Sequence, residues 1–171
     1  MSFTKINTDD IPEFQKKYID LVDGDPIEML ANQKDSFTEF LEQLDEAKLD
    51  YRYAENKWTL REVIVHIIDT EQIFNYRALC VMRGDTQNLA GFDQDVYISN
   101  AQVSHYSKEY LINYFTITRY NSLVLIKGAS ENVWENEGHI SDYKMKLKVF
   151  PYMLAGHLKY HMQIIKERYL G

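Results

Sequence analysis

The chain has 171 residues, with 19 Lys and Arg against 26 Asp and Glu, and a formal net charge of -7. At roughly 150 residues per domain this is the length of one domain, residues 1–171, with enough chain to bury a substantial core. A content of 45% hydrophobic and 26% charged residues argues against extensive disorder, and the acidic balance disfavours binding to nucleic acid through phosphate neutralisation.

The single cysteine, Cys80, excludes an internal disulfide and a multi-cysteine metal cluster. No apolar run approaches the roughly 18 residues that span a bilayer. The N-terminus opens polar and acidic at Thr8, Asp9 and Asp10, unlike a secretory leader. These features predict a cytoplasmic protein with no nucleic-acid or membrane partner.

Asp25-Pro26-Ile27-Glu28 supplies an N-cap, a first-turn proline and an acidic residue, and predicts a helix from Pro26 to about Ala47. Ile27, Leu30, Phe37, Leu41 and Leu44 form its apolar face. Thr59 and Glu62 make a capping box that opens a second helix, closed by Arg83-Gly84. Its run Val63-Ile64-Val65-His66-Ile67-Ile68 is apolar almost all round, as expected of a central helix. Gly84 to Ser107 reads as a long polar connection. A third helix is predicted from Ser107 to Gly128, with Leu111, Phe115, Leu125 and Ile126 as core contacts. Ala129 to Lys146 reads as irregular, and a fourth helix runs from about Leu147 to Leu170. Four long helices around one core predict an all-α four-helix bundle.

His157 and His161 are four residues apart, on one face of the fourth helix that also carries Phe150, Leu154, Ile164 and Ile165. A histidine pair by itself is compatible with a hydrogen-bonded core or a surface pair. His66 adds a third imidazole in the most apolar segment of the chain, where an unpaired polar ring is costly. Three inward histidines on two helices predict a metal site that keeps a coordination position open. Nitrogen-only ligation suits Zn, Ni, Cu or Fe better than Mg or Ca. His105 and His139 have no spacing partner and read as surface residues.

Asp69 follows His66 by three residues and reads either as an acceptor that orients a ligand imidazole or as a solvated carboxylate. Glu71 occupies a core position, where a carboxylate must be paired, hydrogen-bonded or protonated. A structural bond to a Tyr, Arg or Lys is the preferred reading. Cys80 reads as a small apolar helix residue.

The segments Lys57-Trp58-Thr59, His66-Ile67-Ile68-Asp69-Thr70-Glu71, Phe74, Tyr76-Arg77-Ala78, Gly91-Phe92-Asp93-Gln94-Asp95 and Ala155-Gly156-His157 through His161 to Glu167-Arg168-Tyr169-Leu170 together resemble the DinB/YfiT-like metalloenzyme family. The resemblance implies a bundle of up-down-down-up topology, with long connections between helices two and three and between helices three and four. It implies a divalent ion such as Zn or Ni held by three histidines, which map onto His66, His157 and His161, and in several members a homodimer. Assigned activities in the family include bacillithiol-dependent thiol transfer and mycothiol-dependent isomerisation; other members are called hydrolases. The topology is physically feasible, because a helix of about 24 residues is about 36 Å long and about 22 extended residues reach further. It places Glu71 and Arg168 on opposite sides of the metal level, whereas an up-down-up-down bundle would bring them together.

The chemistry these residues predict is metal-dependent activation of a thiol or a water, giving S-transfer of a low-molecular-weight thiol or hydrolysis of a small-molecule substrate. A non-catalytic metal-binding module and a plain helical interaction domain are the alternatives. The residues that carry out catalysis are not identifiable from the sequence. Phe92, Tyr97, Trp134 and Tyr143 in the two long connections are candidates for the mouth of the site, or for a cover over the core.

Overall fold

In the computed structural model, which describes residue 6 and residues 11–171, the four long helices form where the start and stop signals stand. Thr8, Asp9 and Asp10 lie outside the described residues. Helix α1 (Glu13–Ile19) precedes them. Helix α2 (Pro26–Gln43) begins at Asp25, whose carboxylate accepts from the backbone N–H groups of Ile27 and Glu28. Helix α3 (Leu60–Met82) opens on the reciprocal Thr59–Glu62 capping box. After it come a short strand β1 (Asn88–Leu89) and helix α4 (Gln94–Ala101), which is capped by Asp93. Helix α5 (Lys108–Lys127) is capped by Ser107. Strands β2 (Glu137–Ile140) and β3 (Tyr143–Lys146) then form a hairpin before helix α6 (Val149–Ile164), which ends in a π-helical turn over Ile165–Tyr169.

Cross-helix pairs fix the directions. Between α2 and α5, Arg119 donates to the Leu30 carbonyl, Thr38 meets Thr116, and Lys108 reaches the Glu42 and Leu44 carbonyls, an antiparallel order. Between α3 and α5 the order is parallel: Arg61 with the Tyr106 carbonyl, Asp69 with Tyr114, Glu71 with Arg119, Asn75 with Ser122. Between α3 and α6 it is antiparallel again, from Phe74 against Phe150, through His66 against His157, to the Trp58 carbonyl bound by Tyr169. The four long helices therefore run up, down, down, up, with α5 and α6 each packed on both α2 and α3. Arg168 hydrogen-bonds the Tyr53 hydroxyl, and Glu71 binds Arg119 instead.

Several boundaries differ from those read off the sequence. The first long helix stops at Gln43 rather than near Ala47, because Asp45 starts a separate 3-10 turn (Glu46–Asp50) by accepting from the Ala47 N–H. In α5 it is Leu123 that is buried and Leu125 that is only partly so, while Thr118, Arg119 and Ser122 are inside with it. The two connections also carry structure. Strand β1 pairs in parallel with β2, which pairs antiparallel with β3, a small three-stranded sheet at the side of the helical bundle.

Helix α1 docks on α6 through a close backbone approach. A Cβ at Gly156 would stand 1.9 Å from the Tyr18 carbonyl oxygen, so only glycine permits this packing. The contact brings the Tyr18 ring edge-on to His157, with centroids 5.3 Å apart.

Candidate metal centre

The residues that form α3 and α6 place three imidazoles at one level of the bundle. His66 comes from the apolar middle of α3; His157 and His161 are one turn apart on α6. Their ligand atoms all lie within 4.8 Å of one another, and the Nε2 atoms of His66 and His157 are 3.2 Å apart. Ring centroids are separated by 5.1 Å for His66–His157, 4.9 Å for His66–His161 and 4.5 Å for His157–His161. His105 and His139 are exposed and stand apart from the trio.

Burial keeps all three rings neutral. It lowers His66 to about 4 and His161 to about 3, from an ordinary value of 6.5. His157 is pushed well down by burial and then by the neighbouring histidines. Neutral imidazole is the ligating form. Two neutral rings with Nε2 atoms in contact need a proton or a cation between them, and here a third donor faces the same point. The donor set thus fits a transition metal, and it falls one short of the four donors a tetrahedral ion takes.

Around the trio, Trp58 lies against His66 with centroids 4.9 Å apart, and Lys17 sits over the Tyr18 and Tyr160 rings. The Thr70 hydroxyl is 3.5 Å from Nδ1 of His66. A proton on Nδ1 would point to this hydroxyl and leave the Nε2 lone pair for the centre. Asp69 turns instead to Tyr114, at 3.4 Å, and is raised by burial above the usual carboxylate range. Glu71 is a structural residue: both of its oxygens accept from Arg119, at 2.7 and 2.8 Å, and Ser122 donates to it at 2.6 Å.

A cavity of about 310 Å³ opens beside His66 and His157, walled by Tyr18, Phe74, Met153 and Leu154 and, from the long connections, by Phe92 and Tyr143. Of the other two connection aromatics, Tyr97 packs on Phe92 at 5.2 Å, while Trp134 is buried in the core. Arg77 and Gln15 also reach this cavity. Sequence spacing held a signal for Thr70 and Arg77, which follow His66 by four and eleven residues and so share its helix face. Gln15 carried no such signal.

The fold is similar to that of YfiT from Bacillus subtilis, a probable metal-dependent hydrolase with an unusual four-helix bundle topology. Identity is 15% and the TM-score 0.71, over 93% of this chain and 88% of that one. It is also similar to a mycothiol-dependent maleylpyruvate isomerase, with 13% identity and a TM-score of 0.66, over 85% of this chain and 62% of the isomerase. No curated protein matches the chain in sequence. Residues 29–165 match the family model of the DinB superfamily, and the chain belongs to that superfamily.

Proposed function

We propose that this protein is a metal-dependent enzyme in which His66, His157 and His161 hold a divalent transition metal, zinc or nickel. Its reaction is S-transfer of a low-molecular-weight thiol of the bacillithiol type, or hydrolysis. The observation that carries this reading is the meeting of three neutral imidazoles, with no carboxylate among them, two of which, His66 and His157, line a cavity of small-molecule size. A divalent ion held there would act as a Lewis acid and lower the pKa of a water or a thiol, so that either is deprotonated near neutral pH.

The chain's own contributions follow from the geometry. The three histidines supply uncharged donors, so the ion keeps its full charge. Trp58, Tyr18 and the apolar cavity wall exclude bulk water, which strengthens electrostatic effects inside. Thr70 fixes the His66 ring. The cavity favours an enzyme over a closed metal-binding module, since a closed structural site needs no adjoining chamber.

The test is a screen of the metal-loaded protein with low-molecular-weight thiols and a panel of electrophiles and esters, alongside His66→Ala. Turnover in the wild type that His66→Ala lowers by a hundredfold or more supports the proposal. Equal rates in the two proteins contradict it.

A further inference from the structure

We propose that the cavity beside the three histidines takes a substrate bearing a single carboxylate, held by Arg77 and Gln15 at the end away from the imidazoles. The proposal names the substrate class of the site proposed above and rests on that reading for its catalytic meaning, though not for the binding itself.

Arg77 is buried, at 4% exposure, yet no carboxylate among the described residues lies within ion-pairing reach of it. The other two buried arginines among the described residues, Arg61 and Arg119, have their carboxylates in Asp50 and Glu71. Burying a guanidinium without a counter-charge is costly, and burial pulls Arg77 below its ordinary value. Of its five N–H donors, one is paired among the described residues, from Nη2 to the Ala90 carbonyl at 2.6 Å. The guanidinium lies 5.3 Å from the Phe74 ring centroid and 5.7 Å from that of Phe92, and all three residues line the cavity. Its remaining donors are held in a fixed orientation with no acceptor for them among the described residues.

Gln15 provides a second, independent sign. It is 1% exposed, it lines the same cavity, and neither its side-chain nitrogen nor its oxygen makes a well-formed hydrogen bond among the described residues. The Tyr143 hydroxyl stands close enough for a weak hydrogen bond with the Gln15 side chain, which holds that hydroxyl's pKa down against burial but leaves the rest of the amide unpaired. A buried amide whose hydrogen bonds are this incomplete is expensive unless a ligand completes it. One guanidinium together with one neutral amide balances one negative charge, and the planar fork of Arg matches a carboxylate.

The rest of the wall is aromatic and aliphatic, so the body of the ligand is apolar. Arg77 follows His66 by eleven residues, about 16 Å along the axis, and its side chain leans back toward the helix N-terminus. The carboxylate and the group presented to the imidazoles therefore stand at opposite ends of an extended molecule.

The experiment titrates benzoate and 3-phenylpropanoate, and their uncharged amides, into the full-length protein stripped of metal with a chelator, followed by protein NMR. The expected result is that the carboxylates bind at least tenfold more tightly than the amides. Arg77→Met should remove this preference, Arg77→Lys retain part of it, and Gln15→Leu weaken it severalfold. Thermal melts identify any variant that does not fold; Gln15→Leu and Arg77→Lys then carry the comparison. Equal binding of acids and amides, failure of every carboxylate to bind, or unchanged preference in Arg77→Met would overturn the inference. Metal content is measured in parallel. A protein that binds metal but shows no acid preference loses only the carboxylate site, and one that shows the preference without holding metal loses only the metal reading.

Discussion

Gly156 and Tyr18 meet backbone to backbone: a Cβ on the glycine would fall 1.9 Å from the tyrosine's carbonyl oxygen. Because backbone cannot swing aside as a side chain can, Gly156→Ala must displace α1 from α6. The Tyr18 ring would then leave His157, and with it one wall of the cavity. Overpacking of this kind costs about 1–3 kcal/mol, so the urea midpoint should fall while the slope stays the same. An unchanged midpoint would mean that α1 does not dock this way.

The buried pair Glu71–Arg119 predicts an asymmetry. Removing one partner leaves an uncompensated charge inside the bundle, and Arg119→Met should destabilise by about 3–5 kcal/mol. Replacing both, as Glu71→Leu with Arg119→Met, should cost markedly less than the two single changes summed, which a double-mutant cycle measures. Additive losses would show that the two residues act separately.

The lowered histidines set a pH dependence for the metal-free protein. Folded His66 and His161 hold protons only near pH 4 and pH 3, while the unfolded chain takes them up near 6.5. Between these values the unfolded state binds more protons, so acid favours unfolding and stability rises with pH. Their contribution is fully present above 6.5, falls away as pH drops below it, and is fully lost once pH has passed the folded values. Chelator-treated protein should therefore have a lower urea midpoint at pH 5 than at pH 7. His161→Gln should flatten that difference, and a pH-independent midpoint would contradict the burial of these rings.

The frame of the bundle was legible where the causes are local. Asp25-Pro26 and the Thr59–Glu62 box act within one helical turn, and helices start at both. The three histidines were legible as a cluster because their helix faces follow from spacing. What stayed hidden depends on distant residues. Helix α1 is seven residues long and is held by a glycine far along the chain. The β2–β3 hairpin shows its alternation over only four residues in each strand, too few to outweigh an irregular reading. Arg119 was not recognisable as the partner of Glu71, since even between parallel helices the pairing depends on the register and rotation of α5 against α3, which no local signal sets.

Whether His66, His157 and His161 hold an ion is decided by elemental analysis of the purified protein after dialysis against trace zinc and nickel. About one divalent ion per chain is expected in the wild type and none in His66→Ala, His157→Ala or His161→Ala, with each variant still folded by circular dichroism. A folded wild type without stoichiometric metal, or variants that retain it, would rule out the three-histidine site.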